Sequence, residues 1–276
     1  MMRAYRIIVV ICFVIVAILF SAIYVKEYTE TDNTRPKITL MQDELYASVK
    51  DGKEKLLEGV TAFDGKDGDI TNKVIVESVS KFIEKGVCKV TYAVCDSDNH
   101  VTTATRKVVY TDYQSPRFSV NKSMCYSIYE RVDLRSTIGV TDHFDGSLTN
   151  AMVLTSPNYA ASTEGVFSVD ATVTNSKGDM TSIRLPLIVE NRSLTAPKIE
   201  LKEYLVYVEK GQEFAPRRNI LGVVSDDVTL TSGSVKVDTN LNVNQEGTYT
   251  VHYYATDING ERGHSIMTVI VGNGGQ

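Results

Sequence analysis

Asp64, Asp67 and Asp69 crowd around Gly68, and Asp96 and Asp98 follow about thirty residues later. Such a set suggests a hard cation, because calcium takes roughly six to eight oxygen ligands and several carboxylates on one loop supply them. The spacing departs from the EF-hand loop, which needs alternating acids, a glycine at its sixth place and a late glutamate. The same residues also read as a turn, with Gly68 at positive φ and the aspartates accepting from nearby amides. In a second copy of the segment, Asp145-Gly146-Ser147, serine replaces one acid. The turn is therefore the expectation and no metal is assigned, with Asp64, Asp67 and Asp69 left as the calcium candidates.

The other reactive side chains are scattered. His100, His143, His252 and His264 show no close pair, no HExxH and no adjoining cysteine pair, so spacing offers zinc no support, and each is expected on the surface or in a turn. Cys88 and Cys95 are seven residues apart, an odd separation that puts them on opposite faces of a strand; Cys88 is expected in the core. With Cys125 they form no disulfide framework. There is no GxSxG elbow and no recognisable carboxylate pair, so no catalytic residue and no cofactor are assigned and the chain is read as a non-enzyme. Tyr249 and Tyr253 share one strand face, while Tyr254 turns to the other, and Arg217 and Arg218 lie in the same repeat. Tyrosine and arginine suit recognition of a protein or a glycan, which makes Arg217, Arg218 and Tyr254 the binding candidates.

The elements that must position these groups are repeated. Gly86–Asp96, Gly165–Asn175 and Gly247–Asp257 each alternate apolar and polar side chains, and each follows a proline-led strand beginning at Pro36, Pro116 or Pro197. The prolines recur after 80 and then 81 residues. A unit of that size can bury its own core, unlike the shorter repeats of a solenoid. Turn residues such as Asp98-Asn99, Lys177-Gly178 and Asn259-Gly260 close the central strands, and no helical period is evident beyond the N-terminus. Three β-sandwiches in tandem are expected.

From Ile7 to Val25 the chain carries no charge. As a helix those residues span roughly 29 Å, about one hydrocarbon core, so the lipid bilayer is the expected partner of residues 7–25. The apolar run is long for a signal peptide and Phe20-Ser21-Ala22 is a poor cleavage site, which favours an uncleaved anchor. Arg3 and Arg6 precede the span and Glu27, Glu30 and Asp32 follow it, placing the N-terminus in the cytoplasm and the remainder outside. The formal charge is −5, without a clustered basic face, so nucleic acid is excluded as an expected partner.

The segments LLEGVTAFDGKDGDITNKVIV and EKGVCKVTYAVCDSDNHVTTATRKVVY resemble the bacterial Ig-like module named after an insecticidal crystal protein, found in tandem on cell-surface proteins. Asp64, Asp67–Thr71, Gly86, Val90, Tyr92, Asp96 and Arg106 carry the resemblance in the first repeat. The second has Ala171 for the tyrosine and Asn175 for the aspartate, and the third has Asp226–Thr229 where the acidic turn stood. The resemblance implies Ig-like β-sandwiches, so the expected chain is all-β, three tandem Ig-like β-sandwich domains behind the one N-terminal transmembrane helix read from the apolar run. The expected divisions are a cytoplasmic tail 1–6, the helix 7–25, a stalk 26–35 and domains at 36–112, 113–190 and 191–276. The resemblance itself implies almost nothing about a ligand; joined to the apolar span and the absence of catalytic motifs, it leads to the expectation of a non-catalytic, membrane-anchored bacterial surface protein for adhesion or for binding a protein or glycan. An accessory subunit of an envelope assembly is the alternative, and a wall-polymer hydrolase the least favoured. External protease on cells stripped of their outer layers is expected to digest the β-domains; full protection of those domains refutes the N-in orientation.

Overall fold

The computed structural model describes residues 2–30, 33–128, 130–156, 163–225 and 234–272. An α-helix runs from Met2 to Glu30, and within it Tyr5–Lys26 is long and apolar enough to cross a membrane. Its first turn is not acidic and its last turn not basic, so apolar composition and not end-charge complementarity distinguishes it.

The remaining described chain is mainly β-structure, in agreement with the tandem sandwich expectation. In the first repeat a four-stranded sheet is ordered Glu44–Ala47, Val101–Tyr110, Val87–Cys95, Ile75–Val79. It faces a smaller sheet of Lys37–Leu40, Val60–Asp64 and Gly68–Asp69. The first two strands of the larger sheet pair in parallel and its other pairs are antiparallel. Alternation along Val87–Cys95 buries Cys88, Val90, Tyr92 and Val94 and leaves Cys95 exposed, as the odd spacing requires. Single helical turns at Lys53–Leu56 and Leu134–Thr137 are additions to the all-strand expectation. They are too short to show a helical period in sequence.

Asp-Gly turns close the small sheets as expected, with Gly68 and Gly146 at φ of 73° and 68°. Asp64 is buried and its Oδ1 accepts from the amides of Lys66 and Asp67, both at 2.9 Å. Asp142 does the same for Phe144 and Asp145.

The second repeat orders Val153–Thr155, Gly165–Thr174, Met180–Glu190 and Cys125–Ser127 in its larger sheet. The third orders Leu205–Val208, Arg262–Val271, Gly247–Thr256 and Lys236–Thr239. Asp226–Thr229, where the third acidic turn was sought, lies outside the described residues.

Three cores form, yet the chain divides into two compact units, Met1–Thr111 and Asp112–Gln276. In the second unit Leu205 and Ile266 of the third sandwich are buried in the core of the second. The strand Arg262–Val271 is buried without a break from Gly263 to Val269, so both its faces are covered. A Cβ on Gly263 would stand 1.8 Å from the Pro197 carbonyl oxygen, which is why the residue before His264 has no side chain.

The core position opposite the first central residue of each long strand is filled differently each time. Val90 faces Arg106, Val169 faces Leu185 and Val251 faces Met267. Arg106 is buried and its guanidinium donates to the Tyr92 hydroxyl at 2.7 Å and to the Leu56 and Glu58 carbonyls at 2.8 and 2.7 Å. Tyr92 OH in turn donates to Leu56 O. A buried cation persists only if its donors are met, and here carbonyl and phenol oxygens meet them. Arg106→Ala is expected to cost the first unit roughly 3 kcal/mol, since charged hydrogen bonds are lost and Glu58 O is left without the donor Arg106 provides. Thermal unfolding checks this: the transition of the first unit falls by more than ~10 °C and that of the second stays in place, while Arg106→Met, which copies the third repeat, falls less.

Candidate functional site

The cluster richest in reactive groups lies inside the second unit, where the second and third sandwiches meet. Three strands build it. Met180–Glu190 ends by pairing in parallel with Cys125–Ser127, so that Ile188 is registered with Cys125 and Glu190 with Ser127. His264 comes from Arg262–Val271, where it is the cross-strand partner of Tyr254. Because the strand bearing His264 is covered on both faces, its outward imidazole is pressed against the second sandwich and buried.

His264 Nδ1 lies 2.6 Å from Glu190 Oε1 and 3.3 Å from Cys125 Sγ, and its Nε2 lies 3.0 Å from His252 Nδ1. Arg192 locks the strands around this centre, donating to the carbonyl oxygens of His264 and Cys125, each at 2.9 Å. Ser127 Oγ donates to Arg192 O, and Ser123 Oγ accepts from the Ile266 amide. On the solvent side Tyr254 stacks on His264 with ring centres 4.4 Å apart, and the Arg262 guanidinium sits 4.0 Å from the Tyr254 ring centre. A cleft of about 280 Å³ opens there, lined by Glu164, Glu190, Arg192, Tyr254, Arg262 and His264.

Burial pushes the Cys125 thiol up to about 12, with the Glu190 charge adding to the rise and Arg192 opposing it. A thiol so held is no nucleophile near neutral pH. The hydrogen bond from His264 holds the Glu190 carboxyl below its ordinary range against the opposing effect of burial. Burial and the neighbouring His264 together lower His252.

Two expectations are corrected here. Histidine spacing gave no close pair, yet His252 and His264 face each other across adjacent strands; and His264 is a core residue, not a surface or turn one. Cys125 and Glu190 lie 139 and 74 residues from His264, so no linear motif joins the three. The burial of Leu187, Ile188 and Val189 in succession shows that the strand leading to Glu190 is also covered on both faces. That apolar run, like Ile266–Val271 in the strand bearing His264, was a signal of the junction visible in sequence.

The sequence-derived candidates are placed apart. Tyr254 is half-buried in the histidine stack just described. Arg217 and Arg218 are exposed on the short helical turn Pro216–Asn219, whose Pro216 carbonyl accepts from the inward Tyr253. Tyr253 and Tyr254 point to opposite sheet faces, so the arginine pair does not join the Tyr254 patch.

The calcium candidates turn to local donors. Asp67 accepts from Ser97 N and Oγ at 2.8 and 2.6 Å, Asp69 from Thr71 N at 2.9 Å, and Asp98 pairs with Lys66 at 2.9 Å. Among the described residues Asp64 Oδ2, like Ser265 Oγ, is buried without a hydrogen-bond partner; in the second repeat the matching Asp142 Oδ2 receives Asn175 Nδ2 at 3.1 Å. Among the described residues, the three side chains whose donor atoms converge for a metal are Cys125, Glu190 and His264.

Fold and site together define a tandem Ig-like sandwich protein in which two copies are fused through a polar junction. Residues 38–109 and 201–271, half of the chain, match the bacterial surface protein Ig-like domain, and the chain belongs to that family. The chain is 28% identical over 137 residues to an uncharacterized 81.3 kDa protein of Acholeplasma phage L2, across 48% of this chain and 18% of that protein. Among solved structures it is similar to the M60 catalytic domain with CBM51-1 and CBM51-2 of Clostridium perfringens ZmpB. Identity there is 13% and the TM-score 0.26, over 87% of this chain and 31% of that one. Drosophila N-cadherin EC1-4 gives 14% and 0.23, over 88% and 67%. The chain thus spans a minor part of the first two.

The Glu190–His264 contact carries a pH dependence. The folded carboxyl titrates below its ordinary value of 4.5, so its contribution is complete above that value and is lost as pH falls through the lower folded one. The second unit is expected to melt progressively lower as pH drops below 4.5. Glu190→Gln should melt lower at neutral pH and lose that part of the acid slope, and an unchanged slope in calorimetry contradicts the assignment.

Proposed function

We propose that the protein is a non-catalytic, membrane-anchored module of a bacterial cell surface, with its N-terminus cytoplasmic and its Ig-like sandwiches outside, and that it binds a surface protein or glycan. The observation that carries this reading is the family match to surface Ig-like domains at both the first and third repeats, behind a helix able to span a bilayer. The chemistry agrees. Cys125, the thiol nearest to a histidine and a carboxylate, is buried and held protonated, which removes the obvious nucleophile of the junction.

Recognition is assigned to the third repeat. Its outer sheet face presents Tyr254 and Arg262 as a stacked, preorganised pair beside the cleft, which reduces the ordering cost of binding. Arg217 and Arg218 form a separate exposed patch on the same repeat. Aromatic and arginine side chains of this kind supply most of the energy in recognition surfaces.

The full chain in detergent micelles, applied to a glycan array and to surface-protein extracts, tests the proposal. A specific ligand is expected, with binding weakened at least ~10-fold by Tyr254→Ala combined with Arg262→Ala or by Arg217→Ala combined with Arg218→Ala, and unaffected by Arg184→Ala. Undiminished binding by both double variants moves the surface off the third repeat. Turnover of a wall polymer by the purified chain overturns the non-catalytic reading.

A further inference from the structure

We propose that Cys125, Glu190 and His264 form a binding site for a divalent transition metal of zinc type, which ties the second sandwich to the third. The three ligand atoms lie within 4.8 Å of one another and come from three strands belonging to both sandwiches. Thiolate, imidazole and carboxylate are the donors that zinc accepts in tetrahedral sites. A hard cation such as magnesium or calcium would not choose a sulfur and a nitrogen.

The geometry is that of a collapsed site. Bond lengths of about 2.0–2.3 Å around a tetrahedral zinc put neighbouring ligand atoms roughly 3.5 Å apart. Cys125 Sγ and His264 Nδ1 stand at 3.3 Å already. Only Glu190 Oε1, at 2.6 Å from Nδ1, must retreat by about 1 Å. Glu190 is also the one ligand with an open side, its side chain 35% exposed against 3% for His264, and it ends its strand. The rigid pair is thus preset and the carboxylate swings outward to admit the ion.

Outer contacts are in place too. A histidine that ligates a metal donates its other N–H to a neighbour, which fixes tautomer and ring orientation. His264 Nε2 has such a neighbour in His252 Nδ1 at 3.0 Å, and Tyr254 stacks on the ring. Arg192 holds the backbone of both Cys125 and His264 through their carbonyl oxygens, so the two ligand-bearing strands cannot part without breaking it.

The proton balance closes. In the metal-free protein Glu190 accepts from His264 Nδ1–H. On binding, both imidazoles exchange tautomers: the His264 proton passes to Nε2 and is accepted by His252 Nδ1, whose own proton passes to its Nε2, while His264 Nδ1 offers its lone pair and the Cys125 thiol releases its proton to solvent. One proton leaves for each ion bound, and dication, thiolate and carboxylate sum to zero charge. Glu190 and His264 border the cleft lined by Tyr254 and Arg262, from which a water can supply the fourth ligand.

The test uses the full chain in detergent, stripped with a chelator and titrated with Zn²⁺ and Co²⁺. Expected are one equivalent bound, release of one proton, a rise in the melting temperature of the second unit by linkage, and a thiolate-to-cobalt charge-transfer band. Cys125→Ser should abolish that band. Glu190→Gln, on the exposed side, should keep the band and lose at least ~10-fold in affinity, since removing a direct ligand costs no less than removing an outer partner. Failure of the folded chain to bind either ion overturns the proposal, as does an unchanged cobalt spectrum in Cys125→Ser or unchanged affinity in Glu190→Gln. If Cys125→Ser does not fold, the band and the Glu190→Gln affinity decide: both together support the site, and the lack of either refutes it.

Discussion

A β-strand covered on both faces cannot be satisfied by one sandwich, and Arg262–Val271 is such a strand. Met267, Val269 and Val271 fill the third core, while Ile266 on the other face enters the second. Everything at the junction follows from that sharing. It forces His264 into a dry environment, where its ring nitrogens must find partners, and Glu190, Cys125 and His252 supply them. A separate constraint, from within the third repeat, sets the glycine at 263, because Pro197 crosses there too closely for a side chain. Apolar contact across the junction and the polar cluster beside it therefore act together: the first excludes water and the second makes the exclusion tolerable.

The three sandwiches use one plan with three interiors. At the position of Arg106 the second repeat places Leu185 and the third Met267, and at that of Tyr92 they place Ala171 and Tyr253. The first core thus contains a charged hydrogen-bond network closed on Leu56 and Glu58. The third keeps only the tyrosine, which donates to Pro216 O at 3.0 Å, and the second dispenses with both. Volume and polarity change together at the two sites, which is how cores stay filled while partners vary. The same logic governs the acidic turn: Asn175 offers Asp142 a donor that Asp96, a carboxylate acceptor, does not offer Asp64.

Family membership and a span-length helix make surface display the economical interpretation of the chain. A surface module gains from rigidity, since a binding face that is already ordered loses less entropy on contact. Fusing two sandwiches into one compact unit achieves this without a disulfide among the described residues.

The sequence alone determined what depends on local periodicity. The 80-residue repeat, the alternating strands, the Asp-Gly turns with Gly68 and Gly146 at positive φ, the apolar span and the core placement of Cys88 were all legible. These follow from short-range sterics and from the period of the side chains along a strand. The junction was not legible, because it joins residues 74 and 139 positions apart whose types in isolation suggest nothing. Histidine spacing argued against a cluster, and only the packing of one sheet against another sandwich set His252, His264, Glu190 and Cys125 side by side. Alternation states which face of a strand is apolar; it does not state whether the opposite face meets water or a neighbouring domain, and here that difference places His264 in the interior.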